Sequence, residues 1–306
     1  MQEKISIIII SYNSKDYVVD CIKSIIYTCY DFIPEIIVVD NNSSDNTVEV
    51  INQLFPDVII KENSENFGYA KAINIGAKNA SGDYLILSNA DVIYRKNSIQ
   101  ELVKVIKSKY ASICGPQQVF PGGRFQRSFG FFPSKKRAFF DLLGITKFVQ
   151  LTKKKEFKRA NQLPYKVEYI DGAVLCTKRN IFNDLGGFDE SYFFYSEEVD
   201  FCYKAHLSGL KCSIIPNSVV VHHRGGSQEN KGMSYKSIQM LVGSEELFLK
   251  KHETELTNKV YFAIELVYFK LLSLIHSVRG NKSKSENCKL YVKAINNRWE
   301  IKWNTN

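Results

Sequence analysis

Continuously apolar segments alternate with helical patterns through the first 115 residues of this chain. Segments such as Lys4–Ile10 and Glu35–Val39 are rich in isoleucine and valine without polar alternation, which is typical of strands buried on both faces. The predicted strands are Lys4–Ile10, Glu35–Val39, Val58–Lys61 and Tyr84–Leu87, and the predicted helices are Asp16–Tyr27, 45–55 and Tyr69–Asn79. This alternation predicts an α/β fold with a doubly wound, mostly parallel sheet.

The alternation breaks at Gly115-Pro116, and the segment 115–170 that begins there is basic and aromatic. We expect an irregular insert on the side of the domain where an acceptor substrate would bind. The later predicted elements are a strand at Val167–Thr177, a helix at Glu197–Leu207, strands at Cys212–Ile215 and Ser218–His222, and helices from about Tyr235. The predicted organisation is one domain over 1–235, with halves at 1–115 and 167–235 around the insert, and a helical basic tail over 236–306.

Composition and charge narrow the functional classes. With 44% hydrophobic and 24% charged residues, the 306-residue chain is an ordinary globular protein and can bury a sizeable core. Its net charge of +9 is concentrated in 124–166 and 250–306, which flank acidic regions. This pattern suits phosphate-rich substrates or an anionic membrane surface better than nucleic acid. A merely solvated basic face is the alternative for either segment.

The seven cysteines include no CxxC pair, so they are interpreted as small apolar residues in a reducing compartment rather than as a zinc site. The apolar stretch Ile5–Ile10 is too short for a signal peptide, and the acidic Glu3 precedes it. We therefore expect a cytoplasmic protein.

Within the tail, Tyr261–Val278 is strongly apolar but contains Glu265, Lys270 and His276. These residues make it a poor candidate for a transmembrane span. Two interpretations stay open, an amphipathic helix on the bilayer surface and a helix that packs on the domain.

Polar clusters follow the predicted strands of the first half, where open parallel sheets bind their ligands. These clusters are Ser11-Tyr12-Asn13, Asp40-Asn41-Asn42-Ser43-Ser44-Asp45 and Ser88-Asn89-Ala90-Asp91. Neither a GxGxxG loop nor a Walker loop is present, which argues against dehydrogenases and P-loop NTPases. Asp40 can accept from a base or ribose, although a turn of helix-capping residues has the same composition. Asp91 suits a hard divalent cation that also binds substrate phosphates.

Two further clusters lie in the second half. Glu197, Glu198 and Asp200 fall within the first turn of a predicted helix, and this crowding should raise at least one pKa and create a general base. An acidic first turn that complements the helix dipole is the simpler explanation. His222 and Arg224 follow an aliphatic strand, where they could bind a metal ion and a phosphate.

Together, these segments resemble glycosyltransferase family 2, the inverting nucleotide-sugar transferases of GT-A fold, and in particular the rhamnosyltransferases of bacterial O-antigen and capsule assembly. The similar segments are ISIIIISYNS (5–14), VVDNNSSD (38–45), NFGYAKAINIG (66–76), GDYLILSNADV (82–92), DGAV (171–174), LGGFDESYFFYSEEVDFC (185–202) and VHHRGGS (221–227). The resemblance covers about residues 4–250 and is specific for the family, though not for the sugar.

The resemblance implies a role for individual residues. Asp40 would bind the nucleoside base. Asp91 matches the last aspartate of the family's metal motif, and Asn89 stands at the first position of that motif. His222 would approach the metal or the diphosphate, and the cofactor would be Mg²⁺ or Mn²⁺. Glu198 stands where the family usually has the aspartate base, with Glu197 as the alternative. The other residues expected to bind the nucleotide sugar are Ser11, Tyr12, Asn13, Asn42, Asn66, Gly68, Lys71, Asn89, Asp171, Gly172 and Arg224.

The resemblance also implies the reaction. The transferred sugar would be rhamnose from dTDP-rhamnose or, as the second choice, a hexose from a UDP-hexose. It would pass to a glycan acceptor linked to polyprenyl diphosphate. The enzyme would then lie peripherally on the inner face of the membrane. A sugar nucleotidylyltransferase is less favoured because Ser11-Tyr12-Asn13 replaces its glycine-rich loop. A non-catalytic nucleotide-sugar-binding subunit is the other alternative, motivated only by Asn89 and Glu198.

Overall fold

The computed structural model describes residues 4–29, 32–146, 148–149, 152, 163–223 and 233–298. These residues divide into two compact units. The first, called the sheet unit, takes the described residues of 1–130, 156–193 and 197–226. The second, called the helical unit, takes those of 131–155, 194–196 and 227–306.

The sheet unit contains a nine-stranded sheet with the order β3-β2-β1-β4-β10-β6-β11-β5, and β8 also pairs with β11. Its strands are β1 (Ile5–Ser11), β2 (Glu35–Asp40), β3 (Ile59–Glu62), β4 (Tyr84–Asn89), β5 (Val92–Tyr94), β6 (Ile113–Val119), β7 (Phe129–Gly130), β8 (Tyr165–Val167), β9 (Tyr169–Ile170), β10 (Val174–Lys178) and β11 (Cys212–His222). Its helices are α1 (Lys15–Thr28), α2 (Thr47–Leu54), α3 (Tyr69–Asn79), α4 (Ser98–Lys107), α6 (Arg179–Asp184) and α7 (Glu197–Leu207), and β7 and β9 form a separate small sheet.

The N-terminal half of the sheet is parallel, as the alternation predicts. Strand β1 pairs in parallel with β2 and β4, and β2 with β3. Ile7, Ile8 and Ile9 are fully buried, because helices cover both faces of this part of the sheet. In the other half β10 runs antiparallel between β4 and β6, while β6 and β11 are parallel. The predicted α/β class is thus confirmed, with a mixed but mostly parallel central sheet.

The structure corrects the predicted start of irregular structure at Gly115-Pro116. Both residues lie inside β6, a completely buried strand between β10 and β11. Proline normally disfavours a central strand because it lacks an N–H donor. Here Pro116 lies opposite Ile215, where the pairing of β11 becomes irregular, so the missing donor is tolerated. Helix α4, which precedes β6, was also not predicted.

The predicted strand Val167–Thr177 is wrong as a single element. The segment forms the short strands β8 and β9, then a turn at Asp171-Gly172-Ala173, and only then β10. The turn places Asp171 and Gly172 beside the end of β4, because Val174 pairs with Ser88 and Asn89 donates its N–H to the carbonyl of Ala173 at 3.0 Å.

The two strands predicted at Cys212–Ile215 and Ser218–His222 are one strand, β11, with a β-bulge. Ile215 lies opposite Pro116, but Val219 lies opposite Gln117, so β11 carries three extra residues at this point. Because side chains alternate between the faces of a strand, an odd insertion reverses the facing of everything that follows. It puts Val220, and therefore His222, on the same face as Gln118, the partner of Val220.

The helical unit consists of α5 (Lys135–Leu142), α8 (Tyr235–His252), α9 (Glu255–Val278) and α10 (Lys282–Asn296). Each begins at a side-chain cap, in which Ser134, Ser234, Thr254 or Asn281 accepts a hydrogen bond from the backbone three residues later. The helical character predicted for the tail is therefore present.

Helix α9 has two dissimilar ends. Its first half is buried at Tyr261, Phe262 and Glu265, and the helix packs on α5, α8 and α10. Burial, together with the neighbouring Glu245 and Asp141, raises the pKa of Glu265 to about 8. Its second half exposes large apolar side chains, which are Val267, Leu271, Leu274, Ile275 and Val278. By length and composition alone, α9 is the single helix among the described residues that could cross a membrane.

Candidate active site

The predicted polar residues of the first half meet at one edge of the parallel strands. Ser11 at the end of β1 lies opposite Asp40 at the end of β2, and Ile10 lies opposite Asn89 at the end of β4. Asp91 follows two residues later. Strand alternation alone predicted this edge as the ligand site, and the register confirms that the residues are neighbours.

Asp40 is buried and both of its carboxylate oxygens are engaged. Oδ2 accepts the backbone N–H of Ser43 at 2.7 Å, and Oδ1 accepts the Ser43 hydroxyl at 2.6 Å. The loop is held against the end of β1, because the side chain of Asn13 accepts the N–H of Ser44 at 2.8 Å. Asn13 and Asn42 both have positive φ, at 48° and 65°, a conformation that asparagine tolerates better than most residues. The loop thus presents a fixed, acceptor-rich surface.

The two remaining residues predicted at the end of β1 differ in exposure, because Ser11 is buried. The hydroxyl of Ser11 lies 2.9 Å from that of Ser14, at the start of α1. Tyr12 is half exposed, so its ring is available to a ligand.

The segment that enters α3 is a tight turn around Gly68. The side chain of Asn66 accepts the N–H of Gly68 at 3.0 Å, and the carbonyl of Gly68 accepts from Asn41 at 3.1 Å. Gly68 has φ of +82°, and a Cβ there would lie 2.3 Å from the carbonyl oxygen of Phe193, so no other residue fits. The ammonium group of Lys71 lies 3.8 Å from the ring centroid of Phe67.

Asp91 and His222 converge as the sequence predicted. Asp91 Oδ1 lies 3.3 Å from His222 Nε2, and the side chains are 16% and 6% exposed. The carbonyl of Asp91 also accepts the N–H of His223 at 3.0 Å. Within the described part of the chain no group of three His, Cys, Asp or Glu side chains could hold a metal ion. Asp91 and His222 could supply two ligands to a cation, and Mg²⁺ commonly takes further oxygens from a substrate. Arg224 lies outside the described residues.

A residue that the sequence analysis did not identify connects this pair to Asp171. Gln118 is buried in β6, its Oε1 lies 3.1 Å from His222 Nδ1, and its Nε2 donates to Asp171 Oδ1 at 3.2 Å. A glutamine within an apolar strand gives no local signal of function. Only the register of β6 against β11 brings it beside the histidine.

Glu197 and Glu198 begin α7 and are shielded from solvent. Glu197 is 4% exposed and Glu198 is partly buried, and the Oε2 atom of each has no hydrogen-bond partner among the described residues. Burial, followed by the charge of Asp171, raises the pKa of Glu198 to about 7. Burial, followed by the charge of Glu198, raises the pKa of Glu197 well above its usual value. The predicted increase in pKa is present at both glutamates, but its main cause is burial rather than crowding.

Asp200, the third acidic residue of this turn, has different surroundings. It is buried, forms an ion pair with Lys204 at 2.7 Å and accepts the hydroxyl of Tyr192 at 3.4 Å. Asp200 is therefore a structural ion pair and does not add to a cluster of unpaired carboxylates. The crowding expected from sequence involves Glu197 and Glu198 only.

The turn at Asp171-Gly172 lies beside Glu198. A Cβ on Gly172 would contact the Glu198 side chain at 3.5 Å, so the absence of a side chain leaves room beside this carboxylate. Tyr69 at the start of α3 donates its hydroxyl to the carbonyl of Gly172 at 2.9 Å. This bond connects the start of α3, next to Gly68, to the turn that lies beside the candidate base.

Comparison with known proteins identifies the class to which this fold and site belong. The model of glycosyl transferase family 2 matches residues 6–186, more than half of the chain. The chain belongs to this family, and it is an enzyme that transfers a sugar from a nucleotide sugar.

Several characterised relatives are similar in sequence. The chain is 27% identical to the N-acetylglucosaminyl-diphospho-decaprenol L-rhamnosyltransferase of Mycobacterium tuberculosis, over 63% of this chain and 67% of the relative. It is 24% identical to the low-salt glycan biosynthesis hexosyltransferase Agl10 of Haloferax volcanii, over 77% and 72%.

Solved structures share the fold at lower identity. The mannosyltransferase PcManGT of Pyrobaculum calidifontis, in complex with GDP-Man and Mn²⁺, has a TM-score of 0.62 and 16% identity over 100% of this chain and 89% of that protein. TarS 1–349 of Staphylococcus aureus, in complex with UDP, has a TM-score of 0.55 and 13% identity over 98% and 93%. These similarities establish the GT-A fold.

Proposed function

We propose that the chain is an inverting glycosyltransferase in which Glu198 removes the proton of the acceptor hydroxyl. The observation that carries the proposal is the partly buried Glu198 carboxylate, whose pKa of about 7 suits proton transfer near neutral pH. Its Oε2 atom has no partner among the described residues, which leaves it available to a hydroxyl group. Glu197, whose pKa burial also raises well above its usual value, is the second choice for the base.

In this reaction the acceptor oxygen attacks the anomeric carbon from the face opposite the leaving group. Its proton passes to Glu198, the new carbon–oxygen bond forms, and the bond from the anomeric carbon to the diphosphate breaks with its electrons on the departing oxygen. Asp40, Asn66 and Gly68 would hold the nucleoside so that the sugar lies in line for this attack.

Asp91 and His222 would hold a Mg²⁺ or Mn²⁺ ion, whose positive charge stabilises the departing nucleoside diphosphate. The convergence of their side chains at 3.3 Å supports this assignment. The Mn²⁺ present with GDP-Man in the related PcManGT structure gives further support.

The donor that we propose first is dTDP-rhamnose, with a UDP-hexose second. The acceptor is a glycan linked to polyprenyl diphosphate. The name of the mycobacterial relative, which transfers rhamnose to N-acetylglucosaminyl-diphospho-decaprenol, supports both. The similarity to a hexosyltransferase supports a UDP-hexose as the second candidate donor.

A turnover assay tests this function. The protein is incubated with each donor, a polyprenyl-diphosphate-linked N-acetylglucosamine acceptor and Mn²⁺, and the released phosphates are separated by chromatography. Nucleoside diphosphate released only with acceptor present is the expected result, and Asp91→Ala and Glu198→Gln should abolish it in folded protein. Release of pyrophosphate from a sugar phosphate and a nucleoside triphosphate would indicate nucleotidylyl transfer. Donor binding without turnover would indicate a non-catalytic subunit.

We further propose that the enzyme is cytoplasmic and that the exposed end of α9 rests on the inner membrane surface. The side chains of Val267, Leu271, Leu274, Ile275 and Val278 recur at helical spacing, so they share one face. Arg279, Lys282 and Lys284 follow directly and would contact anionic headgroups. The apolar face supplies the insertion, and the basic residues supply the preference for an anionic surface.

Vesicle sedimentation tests the membrane proposal. The protein should sediment with phosphatidylglycerol-containing vesicles and much less with phosphatidylcholine alone. The double variant Leu271→Glu/Ile275→Glu should stay in the supernatant. The control Ile33→Glu/Leu163→Glu changes exposed apolar positions of the sheet unit and should sediment as the wild type does. Equal sedimentation of the two variants would refute a role for α9.

A further inference from the structure

We propose that Gln118 is a positioning residue that keeps a hydrogen on Nδ1 of His222, so that Nε2 is the nitrogen that meets Asp91 and a bound cation. This inference rests on the proposed function for its purpose, but it concerns a property of the resting protein. Gln118 reaches Asp171 at one end and His222 at the other, at 3.2 and 3.1 Å. Its side chain therefore joins the turn before β10 to the end of β11.

The contact with Asp171 determines which way the amide of Gln118 points. An ionised carboxylate can only accept hydrogen bonds, so the atom facing Asp171 Oδ1 must be the NH₂ group. Asp171 Oδ1 also accepts the N–H of Ala173 at 3.2 Å, which holds the carboxylate in place. The carbonyl Oε1 of Gln118 is consequently the atom that faces His222.

This orientation in turn determines the protonation of the imidazole. Because Oε1 has no proton to give, His222 Nδ1 must carry the hydrogen and donate it. Nε2 lies 3.3 Å from Asp91 Oδ1, to which it can donate while the ring is protonated. When the ring loses that proton, its Nε2 lone pair becomes available to a cation at this position. An imidazole in the other tautomer would direct an N–H at that position and could not bind a cation there. A hydrogen bond at the remote nitrogen commonly orients histidine ligands in this way.

Burial makes the arrangement difficult to replace. Gln118 is 1% exposed and His222 5% exposed, so water has little access to either partner. The β-bulge of β11 puts both side chains on one face of the sheet, because Gln118 lies opposite Val220 and His222 is two residues further. The contact is thus a product of the sheet register and does not depend on a surface loop.

The expected tautomer can be read by two-dimensional ¹⁵N–¹H NMR of protein labelled at histidine, recorded without metal at pH 8.5, where an imidazole is ordinarily neutral. The signals of His222 are assigned by their loss in His222→Gln. In the wild type, Nδ1 should resonate as a protonated nitrogen, both in the singly protonated ring and in a ring that also donates from Nε2 to Asp91. A wild-type spectrum with a proton on Nε2 and none on Nδ1 would overturn the proposal without any variant.

Two variants of β6 separate positioning from packing. Gln118→Met removes both contacts, and we expect the His222 spectrum to change to the Nε2–H form or to a mixture of tautomers. Gln117→Met is the matched control, because Gln117 is equally buried but donates to the carbonyls of Gln118 and Gln126 instead. The His222 spectrum should be unchanged in this control. An unchanged spectrum in folded Gln118→Met would contradict the proposal.

A binding measurement adds a second readout. Mn²⁺ binding in the presence of dTDP, followed by electron paramagnetic resonance, should weaken about 10- to 100-fold in Gln118→Met relative to Gln117→Met. If Gln118→Met does not fold, Gln118→Glu is used. Its carboxylate can still accept from Nδ1–H but cannot donate to Asp171, so the tautomer should persist. Loss of the Nδ1–H signal in Gln118→Glu would count against acceptance by the residue at 118.

The inference and the proposed function can fail separately. The expected tautomer in a protein that transfers no sugar would refute only the function. Transfer that depends on Asp91 and Glu198, in a protein whose His222 carries a proton on Nε2 and none on Nδ1, would refute only the role of Gln118.

Discussion

The loop after β2 and the first turn of α7 both shield carboxylates from solvent, but they do so in opposite ways. In the loop, both oxygens of Asp40 accept hydrogen bonds from Ser43. In the helical turn, the Oε2 atoms of Glu197 and Glu198 have no partner among the described residues, and burial raises both pKa values. A carboxylate that accepts a hydrogen bond at each oxygen is a fixed acceptor, and its remaining lone pairs suit recognition of a ligand. A carboxylate with one unbonded oxygen can instead take up a proton there.

The largest expected effect is that of Glu198→Gln. An amide cannot accept the acceptor's proton, so kcat should fall about 10²- to 10⁴-fold. Donor affinity, measured by calorimetry, should be unchanged. Glu101→Gln on α4, which removes an exposed ion pair with Lys104, serves as the control and should keep full activity. If Glu198→Gln retains activity while Glu197→Gln loses it, the base is Glu197.

Asp40→Asn should affect binding instead of turnover. The amide group would direct a donor at the N–H or hydroxyl of Ser43 and would lose a charged acceptor for the nucleoside, so the donor Kd should rise about 10- to 100-fold. At saturating donor, kcat should be close to that of the wild type. Asp57→Asn, at an exposed position, is the matched control. A fall in kcat at unchanged Kd would remove the distinction between the two regions.

The pH dependence of stability should differ between wild type and Glu198→Gln. The folded protein raises the pKa of Glu198 to about 7 from its ordinary value of 4.5, so the unfolded chain binds fewer protons between these limits. The wild type should therefore lose stability as the pH rises from 4.5 to 7, and this loss should be smaller in the glutamine variant, in which Glu197 and Glu265 keep their raised pKa values. By calorimetry, the variant's Tm should exceed that of the wild type by several degrees at pH 8 and by little at pH 4.5.

The same shift should appear in catalysis. Because a general base acts in its ionised form, kcat/KM should increase with pH through about 7 and then level off. Glu198 would have an ordinary pKa if the Tm of the wild type and of Glu198→Gln changed with pH in parallel and kcat/KM increased near pH 4.5 instead of 7.

The smallest predicted effect concerns the hydrogen bond from Tyr69 of α3 to the turn beside Glu198. Tyr69→Phe leaves the carbonyl of Gly172 without its 2.9 Å donor and should reduce the free energy of unfolding by about 1 kcal/mol. Urea denaturation measures this change, and Tyr27→Phe, at an exposed position of α1, should cause none. A change in kcat of more than about tenfold would mean that this hydroxyl has a direct role in the reaction.

The sequence was informative where function follows local pattern. Strand alternation predicted β1, β2 and β4, and the polar residues after them, because parallel strands end at a common edge. Asp40, Asn89 and Asp91 could thus be grouped from the sequence alone. The acidic first turn of α7 could also be predicted, because the start of a helix has local sequence signals.

The sequence failed where long-range pairing decides. Gly115-Pro116 suggested the end of the sheet, because local rules cannot predict that the bulge on β11 accommodates a proline in β6. Gln118 was overlooked because its importance depends on His222, more than one hundred positions away. The pairing of Asp200 with Lys204 left two unpaired carboxylates in the turn instead of three, and the burial that shifts their pKa values exists only in the folded unit.

The β-bulge of β11 also restricts which insertions and deletions related enzymes can accept within this strand. Exposed loops accept insertions of almost any size. Between Ile215 and Val219, however, the gain or loss of one residue would turn His222 to the opposite face of the sheet, away from Gln118. A change of two residues would restore its direction. Length variation in this strand should therefore be even-numbered wherever activity is retained.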